Sequence, residues 1–132
     1  MEHNYNVYFD QFCERYYIKT FEKKYKGAWS KTRLDIEEVC KRIDAILKYN
    51  RADLISSAGH YKLVKLDFAV EGTKISPKSS GNRCIIVIDE EIRSVRILLV
   101  YSKNDICNPN ETTKWKTIIK KQFNEIGEIF SL

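Results

Sequence analysis

Residues 83–100 read RCIIVIDEEIRSVRILLV and predict the centre of a β-sheet. Its two ends, Arg83–Asp89 and Val95–Val100, are almost entirely apolar, which is typical of central strands that are covered on both faces. The link between them is short and polar, so the two strands are predicted to pair as an antiparallel hairpin.

A third strand is predicted upstream of this hairpin. The segment His60–Val70 alternates between apolar side chains on one face and Lys65 and Asp67 on the other, which is the period of a half-buried strand. The following link, Glu71–Gly81, is longer and contains lysine, proline, serine and glycine. Its composition predicts a mobile basic loop.

Two helices are predicted before the sheet. Apolar and aromatic side chains recur at helical spacing over residues 9–25, although residues 15–20 also carry side chains that favour a strand. A second apolar stripe follows Thr32, which with Asp35 resembles a capping box, and ends at Asn50. These two helices are expected to pair as a hairpin on the sheet.

The segment Glu111–Phe123 predicts a helix after the sheet, because its apolar side chains fall on one side and its lysines largely on the other. The predicted fold class is therefore α+β: an N-terminal helical hairpin packed on a small antiparallel β-sheet, followed by a C-terminal helix. The chain has 132 residues and no linker rich in proline, glycine or serine. We expect one domain over residues 1–132.

The composition limits the function classes. Lysine and arginine total 23 against 18 acidic residues, and the net charge of +5 fits an anionic partner such as nucleic acid, or simply a soluble surface. Four widely spaced cysteines, without a CxxC pair or a histidine at ligand spacing, argue against zinc and suit a reducing cytosol. No apolar run is long enough to cross a bilayer and no leader pattern opens the chain, so we expect a cytoplasmic protein without membrane contact.

Three short motifs follow one another in the second half of the chain. They are Tyr61-Lys62, the run Ser80-Gly81-Asn82-Arg83 at the start of an apolar strand, and Tyr101-Ser102-Lys103-Asn104 at the end of the last strand. In this order they resemble the RelE/ParE toxin superfamily, nearest to its RelE/HigB-like branch. The segment at residues 21–25 is loosely similar to the first helix of that family.

The resemblance implies a RelE-like fold and the toxin of a type II toxin–antitoxin system. RelE-like members cut messenger RNA in the ribosomal decoding site without a metal, so the expected partners are a cognate antitoxin protein, the ribosome and mRNA, and no cofactor is expected. A homodimer or a toxin–antitoxin hetero-oligomer would both fit. ParE-like members of the same fold inhibit DNA gyrase, and a degenerate toxin could act only as a binding module. A general RNA-binding module is a further alternative.

The resemblance also assigns roles. Metal-free RNA cleavage needs cations where charge builds on the phosphoryl oxygens, and Arg83 and Lys103 match the family's positions for that task. Lys62 matches the first lysine of the Tyr-Lys strand and is given a base or electrostatic role. Lys65 is the alternative, because residues three apart on a regular strand face opposite ways, so only one of the two can serve unless a β-bulge intervenes.

The proton donor departs from the family pattern. Many RelE-like toxins carry a tyrosine or histidine in or just before the C-terminal helix, but residues 111–132 contain neither. Tyr101, two residues before Lys103, is the nearest substitute, and His60 is the second choice. A lysine with a lowered pKa could also donate the proton.

Antiparallel pairing is expected to bring Arg83 beside Tyr101 and Lys103. Candidate RNA contacts are Lys74, Lys78 and Arg96. Each of these side chains also has an ordinary structural interpretation. Arg83 could pair with Asp67 or Asp89, Tyr101 could be a core residue with its hydroxyl at the surface, and the lysines could simply be solvated.

Overall fold

The computed structural model describes residues 4–49, 51–103 and 110–132. Its strands are β1 Asn6–Phe9, β2 Ala52–Ala58, β3 Tyr61–Phe68, β4 Asn82–Asp89 and β5 Ser94–Ser102. Its helices are α1 Gln11–Cys13, α2 Lys19–Lys24, α3 Ala28–Lys41, α4 Ile43–Ile46, α5 Pro77–Ser80, α6 Glu111–Gln122 and α7 Asn124–Ile129. A π-helical turn, Glu14–Ile18, joins α1 to α2. None of these helices combines the length and the apolar character that a bilayer span requires.

The five strands form one sheet in the order β1-β5-β4-β3-β2. The predicted hairpin is confirmed, because β4 and β5 pair antiparallel from Asn82 opposite Ser102 to Asp89 opposite Ser94. The pairs β3–β4 and β2–β3 are also antiparallel, whereas β1 runs parallel to β5. The two most apolar strands therefore have a neighbour on each side.

Both faces of the sheet are covered by helices. On one face, side chains of α2 and α3 such as Phe21 and Trp29 pack on even-numbered residues of β3 such as Phe68. On the other face, Trp115 and further residues of α6 and α7 pack on odd-numbered residues of β3 such as Leu63. This double burial explains why β4 and β5 are apolar at nearly every position.

The predicted N-terminal helical hairpin on an antiparallel sheet is wrong, although the α+β class holds. The strand β1 precedes all the helices, and its parallel pairing with β5 makes the sheet mixed. The four residues of β1 are too few to show a clear alternation of apolar and polar side chains. The strand is stabilised by hydrogen bonds to β5, and no sequence pattern indicates such pairing. The edge strand β2 was missed as well, because its half-polar sequence ADLISSA lacks a regular period.

The helix boundaries also differ from the predictions. The first helical segment begins after Asp10, whose carboxylate accepts a hydrogen bond from the Phe12 backbone N–H at 2.8 Å, so residue 9 belongs to β1. Thr32 does not cap α3 but lies buried inside it. Its hydroxyl donates to the Ala28 carbonyl at 2.8 Å and accepts from the Glu71 N–H at 2.9 Å. Tertiary contact with the loop after β3 therefore explains this threonine better than capping does.

One bidentate ion pair ties the first helical segment to α3. Both guanidinium terminal nitrogens of Arg33 lie 2.7 Å from the carboxylate oxygens of Glu14. The same guanidinium lies 4.1 Å from the ring centre of Phe9. The hydrogen bonds from Arg33 lower the pKa of the Glu14 carboxyl, more than partial burial raises it.

This pair predicts a pH-dependent contribution to stability. The folded pKa of Glu14 is depressed, so the contribution is present above the ordinary glutamate pKa and is lost as the pH falls through the folded value. We expect Glu14→Gln to lower the free energy of unfolding by about 0.5–1 kcal/mol near neutral pH, because the pair is partly exposed. Urea unfolding followed at several pH values measures the difference, which should shrink as the pH falls through the folded pKa of Glu14.

The matched control is Glu38→Gln, which removes a solvent-exposed pair with Lys41. It should leave the unfolding curve unchanged at neutral pH. An equal loss in both variants, or a Glu14→Gln effect that persists in acid, would contradict the role assigned to the bidentate pair.

Candidate functional site

A polar row crosses three adjacent strands on the face that α6 covers. Asp67 of β3 lies opposite Arg83 of β4, and Arg83 lies opposite Tyr101 of β5. Directly opposite residues on neighbouring strands point to the same face, so their side chains are neighbours. The strands thus carry a carboxylate, a guanidinium and a phenol side by side near one end of the sheet.

Arg83 is held from several sides. Only 8% of the residue is exposed, and its Nε lies 3.0 Å from an Asp67 carboxylate oxygen. Its terminal nitrogens donate to the carbonyls of Asn82 at 3.0 Å and Lys78 at 3.4 Å. A guanidinium has five N–H groups, and these contacts engage three of them.

Burial decides the electrostatics of Asp67. Loss of water raises the pKa of its carboxyl, and the positive charge of Arg83 opposes this rise without cancelling it. A carboxylate that is buried at this cost needs its partner, and so does the buried guanidinium. The pair therefore fixes both side chains firmly in the row.

Tyr101 is engaged by the first residue of α6. Its hydroxyl donates a hydrogen bond to the Glu111 carboxylate, and burial, this hydrogen bond and the glutamate charge all raise the tyrosine pKa. Helix α6 begins here because the side chain of Asn110 accepts a hydrogen bond from the Thr113 N–H at 3.1 Å. An acidic residue in the first turn is also favoured by the helix dipole.

The structure brings one of the two candidate lysines of β3 to this row. The ammonium nitrogen of Lys65 lies 4.0 Å from a Glu111 carboxylate oxygen. Lys62 points to the other face and pairs at 2.7 Å with Glu90, near the opposite end of the strand. We call Lys65, Asp67, Arg83, Tyr101 and Glu111 the strand-end cluster.

Lys103 lies exposed beside the start of β4, where its backbone N–H donates to the Gly81 carbonyl at 2.8 Å. Gly81 adopts a left-handed conformation with φ of 79°, which ends α5 and turns the chain into β4. The sequence predicted that Lys103 and Arg83 lie close together. This hydrogen bond holds the backbone of Lys103 beside Gly81, which is two residues before Arg83 in the chain. The next residues of the motif, Asn104 and Asp105, lie outside the described part of the chain.

The other predicted RNA contacts, Lys74, Lys78 and Arg96, lie in different parts of the structure. Lys78 is exposed in α5, a capped turn that the sequence had indicated as loop, and only its carbonyl contacts Arg83. Lys74 is exposed before that turn. Arg96 lies toward the other end of β5, where it pairs with Asp10 at 2.9 Å and Glu125 at 3.6 Å. The structure therefore does not bring Arg96 to the strand-end cluster.

His60, the second choice for a proton donor, is also remote from the cluster. It lies before β3, with Nδ1 2.8 Å from Asp89 and Nε2 3.3 Å from Glu91. Within the described ranges, no group of three or more histidine, cysteine, aspartate and glutamate side chains could hold a metal ion.

Glu111 is the residue that sequence reasoning missed. The search of the C-terminal segment was for a tyrosine or a histidine, and a glutamate in a first helical turn is ordinarily explained by the helix dipole. Its position directly after Asn108-Pro109-Asn110, a helix-start signal, was visible in the sequence. Its contact with Tyr101 depends on how α6 packs on the sheet, which that signal does not contain.

Comparison with known proteins identifies the fold. No protein-family model and no curated protein matches this sequence. A chain of the archaeal RelE–RelB complex from Pyrococcus horikoshii OT3 superposes with a TM-score of 0.54 over 76% of this chain and 96% of that one, at 11% sequence identity. The fold is RelE-like. At this identity the RelE likeness concerns the path of the backbone and not the residues of the site.

The buried pair predicts a large and asymmetric effect on stability. Asp67→Leu should lower the free energy of unfolding by about 3–5 kcal/mol, because it leaves the Arg83 charge buried without its partner. The double variant Asp67→Leu, Arg83→Met should recover most of that loss, since apolar side chains of similar size can replace a buried pair. Urea unfolding, followed by fluorescence of the buried Trp29 and Trp115, measures both.

A single variant within about 1 kcal/mol of the wild type would mean that the pair is solvated and does not organise the row. A double variant that is as unstable as the single one would instead assign the loss to packing.

Proposed function

We propose that this protein is the toxin of a toxin–antitoxin pair and that it cleaves messenger RNA on the ribosome. The observation that carries the proposal is the strand-end cluster, in which Lys65, Arg83, Tyr101 and Glu111 lie together in a RelE-like fold. This set provides two cations, a carboxylate and a hydroxyl, which are the groups that RNA cleavage without a metal requires. The cytoplasm is the compartment in which such an activity would meet ribosomes.

The reaction needs two proton transfers. The 2′-hydroxyl oxygen attacks the adjacent phosphorus and loses its proton, while the bond to the 5′-oxygen breaks and that oxygen gains a proton. The products are a 2′,3′-cyclic phosphate and a free 5′-hydroxyl. Negative charge builds on the phosphoryl oxygens between these events, and the guanidinium of Arg83 with the ammonium groups of Lys65 and Lys103 would stabilise it.

Glu111 and Tyr101 form a proton relay in this proposal. The carboxylate of Glu111 accepts the proton of the 2′-hydroxyl, and its new O–H then donates to the Tyr101 oxygen. Tyr101 passes its own proton to the departing 5′-oxygen. The raised pKa of Tyr101 keeps its hydroxyl protonated at neutral pH, and the relay never leaves a free phenolate.

The proposed partners follow from the same site. The solved neighbour is a complex of RelE with RelB, so an antitoxin that covers the cationic strand ends is the partner we propose here. Messenger RNA and ribosomal RNA would meet the exposed Lys74, Lys78 and Lys103. A homodimer is a second possible assembly of the free chain.

A specific observation also favours a non-catalytic alternative. Arg83 is bound by Asp67 and by two carbonyls, and the Tyr101 hydroxyl is already given to Glu111. Groups that are satisfied within the protein can be purely structural. In that case the chain would act by binding alone, without cleavage of messages. As a gyrase inhibitor it would induce DNA-damage signalling, and as a degenerate toxin it would only form a complex.

The test is expression in bacteria with mapping of transcript ends, together with initial cleavage rates on ribosome-bound mRNA in a purified system. We expect growth arrest and new 5′-hydroxyl ends within messages. Glu111→Gln should lower the cleavage rate by about 10²- to 10⁴-fold, because an amide cannot accept the proton. This substitution keeps the shape of the side chain, and the fold should therefore persist.

The matched control is Glu128→Gln, an exposed glutamate of α7 outside the strand-end cluster. It should cleave at the wild-type rate. Unarrested growth with intact messages, or equal activity of the two glutamine variants, would contradict the proposed reaction.

A further inference from the structure

A groove opens beside the strand-end cluster where β5 has no strand on its outer side. The strand β1 pairs with β5 only as far as Ile97, so the π-helical turn and α2 face the rest of that edge. The groove has a volume of about 410 Å³ and is mostly apolar. Its walls include Tyr16, Tyr17, Phe21 and Lys24 from the helical side and Tyr101 and Ser102 from β5.

The helical wall presents unusual aromatic surface. Tyr16 is 58% exposed, although an aromatic ring gains free energy from burial, and its ring is supported by Phe12 with the centroids 4.9 Å apart. The π-helical turn contains both Tyr16 and Tyr17 and directs the two consecutive residues to the groove. Such turns are rare in proteins, and those that do occur often lie at functional sites.

Charge and position favour a nucleotide as the occupant. The ammonium-bearing Lys24 lines the groove, and Lys19 and Lys23 are exposed on the same helix. Tyr101 belongs to both the groove and the strand-end cluster, so the two sites adjoin at this residue. An unpaired base stacks on an aromatic ring while its phosphate meets a cation, which is the usual recognition of single-stranded RNA.

We propose that this groove binds a nucleobase of single-stranded RNA next to the phosphate in the strand-end cluster. The base stacks on Tyr16, and the neighbouring phosphate pairs with Lys24. The inference rests on the proposed function for its substrate, but it makes a claim about binding that does not require cleavage.

The experiment measures binding of a fluorescein-labelled 2′-O-methyl RNA hexanucleotide, which cannot be cleaved, to the full chain at several salt concentrations. Tyr16→Ala should weaken binding by about 5- to 100-fold without changing the salt dependence, because stacking involves no counterion release. Lys24→Gln should lower the slope of log affinity against log salt by about 0.7. Tyr16→Trp should bind at least as tightly as the wild type, since it restores a stacking surface.

The control is Tyr49→Ala, which removes another exposed tyrosine far from the groove in sequence and should leave affinity unchanged. Equal affinities of the Tyr16→Ala and Tyr49→Ala variants, or no binding by the wild type, would overturn the proposal. If Tyr16→Ala instead weakened only the complex with a co-expressed antitoxin, the groove would belong to a protein partner and the proposal would be wrong. If messages stay intact in cells but RNA binding still depends on Tyr16, the proposed cleavage reaction is wrong and the proposed binding groove stands.

Discussion

The buried ion pair between Asp67 and Arg83 is the interaction on which the rest of the site depends. Two charges removed from water are tolerated only where each has the other and further hydrogen bonds nearby. The pairing register of β3 with β4 supplies the first condition, and the carbonyls of Asn82 and Lys78 supply the second. The pair therefore joins β3 and β4 to the α5 turn. It also fixes the side chain of Arg83, which lies opposite Tyr101.

The same constraint determines how much positive charge the site can offer. Lys65 faces Glu111 and Arg83 faces Asp67, so each cation has a carboxylate close to it. In the proposed reaction an incoming phosphate would bind through the donors that these contacts leave, and it would gain from groups that are already oriented. The strand-end cluster holds two cations and two carboxylates, so its formal charge is zero, and the exposed Lys103 beside it adds positive charge.

Sequence reasoning recovered the parts of the fold that have strong local signals. The β4–β5 hairpin and the amphipathic α6 were predicted, and the spacing of Lys62 and Lys65 correctly implied that only one of them reaches a given face. It missed β1 and β2, because a four-residue parallel strand and a half-polar edge strand are stabilised by neighbours that lie far away in sequence. It missed Glu111 for the same reason, since the partner of this residue is set by the packing of α6 on the sheet.

The most direct test is NMR of the arginine guanidinium groups, terminal nitrogens included, during titration with an uncleavable 2′-O-methyl RNA. If phosphate binds at the strand ends through the terminal N–H groups of Arg83, their signals shift on RNA binding, while the signals of Arg96, held by Asp10 toward the other end of β5, do not. RNA binding that moves the Arg96 signals and leaves the Arg83 signals unchanged would rule out phosphate binding at the strand ends.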